Sequence, residues 1–139
     1  MIDYIFTSDR AREVYGGELR RATEGAAGFD LYAVTIEGRK IGFGVAVELP
    51  WDAAGFVFAR SGVAKDFGLQ FTNGVGVIDR DYRGELRAYA KHNVPASLIG
   101  CRVAQLVVIR NIDTDPPRLV ERLTPTQRGF GGFGSTGNG

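Results

Sequence analysis

The stretch Phe71-Thr72-Asn73-Gly74-Val75-Gly76-Val77-Ile78-Asp79-Arg80-Asp81-Tyr82-Arg83-Gly84 decides the fold class. Asn73-Gly74 is a strong signal for a two-residue hairpin turn, because both residue types tolerate positive φ. A strand continues from it through Val77-Ile78. Residues 85–90 then alternate polar and apolar, as a half-buried strand does. From the end of the first strand to the start of the second run Asp79, Asp81 and Glu85, with Arg80 and Arg83 among them. Such a cluster is either a salt-bridged strand connection or an acid/base and metal site, and the local sequence leaves both open.

Outward from this stretch the chain keeps the same grain. Residues 2–7 open a strand, residues 29–33 form a short one, and residues 55–59 another. Residues 41–49 read apolar-small-apolar and end at Pro50, as one strand stopped by a proline. The adjacent Gly16 and Gly17 argue against a stable helix over residues 10–21. Residues 103–109 are an apolar strand with Gln105 set inside it, either a satisfied core amide or a ligand contact. Pro116-Pro117 breaks the chain, and residues 119–123 read as a last strand. The count is about eight to ten short strands with hardly any helix, which predicts an antiparallel β-sandwich, jelly roll or barrel.

Two residues in these strands stand out chemically. Asp30 places a carboxylate inside an apolar strand, where it needs a partner or a metal unless it lies at a turn or edge. Arg60-Ser61-Gly62 follows a strand; Ser61 offers a hydroxyl and a neighbouring N–H to an anion, or simply makes a Ser-Gly turn.

The chain of 139 residues fits one domain, and its formal net charge of +1 argues against polyanion binding as its main task. A few arginines around one phosphate group remain compatible with that charge. Cys101 is the only cysteine, so no intrachain disulfide forms, which fits a reducing compartment. His92 is the only histidine, which rules out a His-rich zinc site. A basic-then-apolar leader and an eighteen-residue apolar run are both lacking, so secretion and membrane spanning are not expected. A Walker-type phosphate loop is also absent.

The last residues, Arg128-Gly129-Phe130-Gly131-Gly132-Phe133-Gly134-Ser135-Thr136-Gly137, have too little apolar surface to order themselves. Their chemistry nevertheless suits a nucleotide. Arg128 is a planar fork for phosphate, Ser135 and Thr136 add hydroxyls, and Phe130 and Phe133 offer faces for a base. The segment reads as a lid that orders over a nucleotide polyphosphate, or else as a Gly-rich mobile tail.

Five segments occur in one order: Ala27-Gly28-Phe29-Asp30-Leu31, Arg60-Ser61-Gly62-Val63-Ala64, residues 76–84, Arg102-Val103-Ala104-Gln105-Leu106, and residues 128–137. Together this set resembles the five motifs of the trimeric dUTPases, the deoxyuridine triphosphate nucleotidohydrolases. The resemblance implies an all-β, distorted jelly-roll or β-barrel body over residues 1–124. Residues 125–139 would then be a Gly-rich C-terminal lid, swapped within a threefold homotrimer whose active sites are shared between subunits. It implies hydrolysis of dUTP to dUMP and pyrophosphate with Mg²⁺, limiting uracil in DNA and supplying dUMP for thymidylate synthesis.

Carried over residue by residue, the resemblance makes Asp79 the carboxylate that activates water at the α-phosphorus. Asp30 is implied to hold Mg²⁺ through bound water. Arg60, Ser61, Gly62 and Gln105 match phosphate-contacting positions, and Arg128, Gly134, Ser135 and Thr136 match the tail's contacts. Phe133 matches the ring that stacks on uracil. Asn73, Gly76, Val77 and Ile78 resemble the element that reads uracil's edge, and Tyr82 the ring that leaves no room for a 2′-hydroxyl.

The chain departs from the family pattern at Ala59, usually proline, at Cys101, usually aspartate, and over residues 39–44; none of these removes a proposed chemical group. Two alternatives stand beside the enzyme. One is a regulatory protein of the same fold acting through a protein partner, as in some viral members. The other is a dCTP deaminase, which is disfavoured because Ser61-Gly62 replaces that relative's Ser-Ser pair and Tyr89 stands near its catalytic Glu. The location expected is the cytoplasm, or the host cytoplasm for a viral protein, without nucleic-acid or membrane partners.

Overall fold

A computed structural model describes residues 1–134. Nine strands and two short helices follow the order β1 (Asp3–Phe6), α1 (Asp9–Val14), β2 (Phe29–Tyr32), β3 (Thr35–Glu37), β4 (Lys40–Gly42), β5 (Val45–Glu48), β6 (Ala54–Ala59), α2 (Ser61–Phe67), β7 (Gly76–Ile78), β8 (Arg87–Tyr89) and β9 (Arg102–Ile109). They form three antiparallel sheets: β1-β5, β2-β9-β6-β7 and β3-β4-β8. The all-β expectation therefore holds. The longest strand, β9, pairs on both sides, Asp30↔Gln105 towards β2 and Phe58↔Gln105 towards β6. Phe43, Leu31, Ile41, Leu86, Leu106, Val45, Val57 and Val103 are fully buried and fill the core.

Several local expectations are corrected. Residues 10–21 do contain a helix, α1, but it is only six residues long. The Ser8 side chain accepts the Ala11 N–H at 3.0 Å and caps its start. Gly16 and Gly17, at φ +66° and +88°, stop it. The helix survives because Ala11 is wholly buried against the sheet, a tertiary gain that propensity does not record.

The single strand expected over residues 41–49 is two strands, β4 and β5, broken at Phe43-Gly44. Gly44 sits at φ +69°, and a Cβ there would lie 2.6 Å from the Ala11 Cβ. The break thus lets α1 approach the sheet. Ser61-Gly62 opens α2 rather than making a turn, and Gly68 in the left-handed conformation ends that helix. Asn73-Gly74 does turn the chain, with Gly74 N–H donating to the Phe71 carbonyl at 3.0 Å. It is not a hairpin between paired strands: Phe71 bridges Ala90, whereas β7 pairs β6. Residues 119–123 form no strand, and Leu119 and Leu123 are exposed. Apolar alternation alone cannot make a strand that finds no ladder partner.

Tyr15 joins three elements at the centre. Its hydroxyl donates to the Phe43 carbonyl at 2.7 Å and accepts the Tyr32 N–H at 3.1 Å. Its ring packs edge-on to Tyr32 and tilted against Phe6. Burial pushes its pKa far above the ordinary phenol value, so the hydroxyl stays neutral and can donate. Tyr15→Phe keeps the packing but strands one carbonyl and one N–H. We expect it to lower stability by about 2 kcal/mol in urea denaturation, the scale of buried unsatisfied groups. An unchanged midpoint would show that the hydroxyl carries no weight.

Candidate functional site

Residues from three of the matching segments meet on the β2-β9-β6 ridge. The register sets Asp30 beside Gln105 and Gln105 beside Phe58. Arg60 follows β6 directly, and its backbone N–H donates to the Val103 carbonyl at 3.0 Å, extending the ladder by one bond. Asp30 is 7% exposed. Its Oδ2 accepts from Arg102 Nη1 at 3.2 Å, while Arg60 Nε stands 3.9 Å from Oδ1, too far for a hydrogen bond.

Arg102 is a site residue that the sequence reading passed over; an arginine opening an apolar strand that pairs with an aspartate-bearing strand was the available signal. Among the described residues the Gln105 amide has no side-chain hydrogen bond, so its polar end is available to a ligand. Gly28 makes room for it: a Cβ there would fall 2.8 Å from Gln105 Oε1 and 3.2 Å from the Leu106 carbonyl. Ser61 and Gly62 are exposed in the first turn of α2, where backbone N–H groups lack intrahelical acceptors.

A second group lies along residues 71–89. A cleft of 330 Å³ is lined by Val57, Phe71, Asn73, Gly76, Arg87 and Tyr89 among others, within the usual size range of small-ligand pockets. β7 is the edge strand of its sheet, so one row of its backbone donors and acceptors has no ladder partner. Val77 is exposed, whereas the Ile78 side chain is buried in the core. Ile78 can therefore meet a ligand only through its backbone.

Asp79 follows β7 and is exposed; its carbonyl accepts the Tyr82 N–H at 3.1 Å, closing a turn. The three carboxylates of this region separate. Glu85 turns inward, with Oε2 accepting the Gly44 N–H at 2.9 Å and Oε1 accepting from Arg87 Nε at 3.3 Å. The carboxylates of Asp79 and Asp81 have no ion pair or hydrogen bond among the described residues.

Arg83 does not neutralise these acids. It donates through Nη1 to the Arg80 carbonyl at 2.7 Å and through Nη2 to Glu48 Oε1 at 2.9 Å, tying the turn to β5. The Tyr82 hydroxyl donates to the Glu85 carbonyl at 2.9 Å, so the ring folds back over its own loop. Gly84 permits this, since a Cβ there would lie 2.6 Å from Tyr82 Cζ. Arg83 thus makes a salt-bridged connection, though to Glu48 of β5 rather than to the acids of its own cluster, and Gly84 is a support that its sequence does not announce.

The two groups are separated along β6. Ile78, just before Asp79, pairs with Gly55, while Arg60 lies beyond the far end of β6. That is about 17 Å of strand at ~3.3 Å per residue. The tail is a third, separate piece. Arg128 Nε donates to the Gly131 carbonyl at 2.6 Å, a contact within the tail, and Phe130 and Phe133 are fully exposed. Ser135 and Thr136 lie outside the described residues. No group of three or more His, Cys, Asp or Glu converges to hold a metal among the described residues.

The molecule is an all-β body of the jelly-roll type with a cleft of small-ligand size. The chain belongs to the dUTPase family, whose model matches residues 16–137. It is 47% identical over 128 residues to the deoxyuridine 5'-triphosphate nucleotidohydrolase of Desulfitobacterium hafniense, covering 84% of each chain. It is 42% identical over 128 residues to the protein of that name from Rhodococcus erythropolis, covering 85% of this chain and 77% of the relative. The dUTPase of Staphylococcus bacteriophage 80alpha, solved with dUpNHpp, shares the fold at a TM-score of 0.79 and 24% identity, covering 99% of this chain and 98% of that one.

Removing Arg102 tests the Asp30 arrangement. Arg102→Ala leaves a buried carboxylate with only the distant Arg60. It should cost about 2 kcal/mol in chemical denaturation, less than a fully buried pair because Arg102 is partly exposed. Asp30→Asn, which removes the buried charge, should cost less. The opposite order would contradict the pairing.

Proposed function

We propose that this protein hydrolyses dUTP to dUMP and pyrophosphate at sites completed by neighbouring copies in a threefold homotrimer. The observation that carries this reading is the continuous segment from Asn73 to Tyr82. It brings a base-sized cleft, an unpaired strand edge, a partner-free carboxylate and a ring locked against its own loop.

Uracil enters the cleft, where the Asn73 amide and the backbone of Gly76, Val77 and Ile78 meet its edge. A base with different donors leaves those groups unpaired, which discriminates more strongly than shape alone. The Tyr82 ring lies against the deoxyribose and occupies the space of a 2′-hydroxyl. Asp79 accepts a proton from a water molecule as the water oxygen attacks the α-phosphorus. The bond from that phosphorus to the bridging oxygen breaks, and pyrophosphate leaves.

Arg60, Ser61, Gly62 and Gln105 hold the phosphates from one side and offset their charge. Residues 125–139 act as a lid on the body of residues 1–124. In that lid Arg128, Gly134, Ser135 and Thr136 meet the terminal phosphates and Phe133 stacks on the base, keeping bulk water out. The separation of Arg60 from Asp79 along β6 supports a site shared between copies: one chain cannot easily bring both to a single α-phosphorus.

Mg²⁺ fits this site in the mode in which the ion keeps waters and is held largely by substrate phosphates. Asp30 Oδ1 retains acceptor capacity for such a water, since Arg60 stands too far from it for a hydrogen bond. When bound, the metal supplies positive charge to the triphosphate. The exposed single thiol and the intracellular substrate suit a cytoplasmic enzyme.

Pyrophosphate release from dUTP, dCTP, dTTP and UTP with Mg²⁺ tests the reading. The wild type should hydrolyse dUTP alone. Asp79→Asn should lose about 10²–10⁴-fold in kcat, the scale of a positioned general base. Hydrolysis of none of the four by folded protein, or full activity in the variant, would refute it.

A further inference from the structure

The C-terminal arm leaves the body at one point. β9 ends at Ile109, which pairs with Ala54 at the start of β6. Residues 110–130 are exposed throughout, and they form no strand. Among the described residues, every hydrogen bond that ties residues 110–134 to the rest of the chain ends on Asp52. Arg110 Nε donates to Asp52 Oδ1 at 2.6 Å, the Asn111 N–H to Asp52 Oδ2 at 3.2 Å, and the Ile112 N–H to the Asp52 carbonyl at 2.9 Å. The remaining bonds of the arm stay within it.

Asp52 is well built for this task. It sits in the tight turn between β5 and β6, where the Ala53 N–H donates to the Pro50 carbonyl at 3.0 Å, and it is 6% exposed. The Arg110 hydrogen bond, above all, holds its carboxyl below the ordinary carboxylate range, so it is charged at neutral pH. Asn111, gripped by the same carboxylate, takes φ +63°, a left-handed conformation that bends the chain there. A bend at such a residue needs an external constraint to persist, and Asp52 supplies it through both side chain and backbone.

We propose that Asp52 is the positioning residue of the C-terminal arm: it sets the direction in which residues 112–134 depart and thereby delivers Arg128 and Phe133 to a nucleotide site. This rests on the reading that the arm closes over bound dUTP. The contacts of Asp52 with residues 110–134 are to the root of the arm, and its effect on turnover passes entirely through the arm. The bend matters because a small change in departure angle is multiplied along the residues that follow. An arm released from it samples many directions and spends less time over the site.

The full-length protein is compared with Asp52→Ala and Asp52→Asn, each alone and in a background of Arg128→Ala with Phe133→Ala. Thermal melts establish that each variant is folded. Asp52→Ala should lower kcat/KM for dUTP about tenfold, the scale of one charge-assisted hydrogen bond, with faster hydrogen exchange at the Asn111 amide. Asp52→Asn keeps an acceptor for Asn111 and should fall between.

In the Arg128→Ala, Phe133→Ala background Asp52→Ala should lower kcat/KM no further. An equal loss in both backgrounds would place Asp52 in the general stability of the body and overturn the proposal. Unchanged exchange at Asn111 would overturn the clamp itself. If the background pair alone left kcat/KM at the wild-type value, the arm reading would fail, and delivery by Asp52 with it.

Discussion

The pairing of β9 on both edges governs the rest of the molecule. The two buried charged residues found among the described residues, Asp30 and Asp52, are held by the arginines that open and follow this strand, Arg102 and Arg110. A slip of one residue in either ladder would turn Gln105 and its neighbours to the opposite face. It would also leave two carboxylates buried without their partners, a penalty far larger than that of losing a surface ion pair. The register is therefore fixed by charge at the ends and by Val103, Ala104 and Leu106 in the middle, which are wholly buried. From it follow the Asp30–Gln105 juxtaposition, the position of Arg60 and the departure point of the arm.

Function uses what such a fold leaves unfinished. β7 is short and paired on one side, so its free edge is a row of donors and acceptors open to a ligand without any side chain. The loop after it is held by Arg83 to β5 and by Glu85 to Gly44, and among the described residues the Asp79 carboxylate makes no structural bond. The same glycine break that lets α1 reach the sheet gives Glu85 its N–H donor. Packing of a helix at one place thus stabilises the loop that carries the carboxylate at another.

Much of this was legible in the sequence. Alternation marked β1 and β8, because a half-buried strand writes its two faces into successive residues, and short apolar runs marked β2, β6 and β9. The order of five short segments marked the family. What stayed hidden depends on tertiary contact. The helix α1 exists because Ala11 meets Gly44, and the gap between β4 and β5 exists for the same reason. Arg102, Glu85 and Asp52 earn their roles from partners 72, 41 and 58 residues away in sequence. Residues 119–123 carry a strand's apolar pattern, yet their exposure shows that pattern is not pairing.

The central claim is that one chain supplies Asp79 to a site whose phosphate-holding residues come from another. It is tested most directly by mixing two inactive proteins. Asp79→Asn and Arg60→Ala chains are unfolded together, refolded into mixed trimers and assayed for pyrophosphate release from dUTP. If the sites are shared, some mixed trimers pair an intact Asp79 with an intact Arg60 from a different chain, and activity returns. If each site lies within a single chain, every chain carries one defect and the mixture stays as inactive as its parents, which would contradict the account.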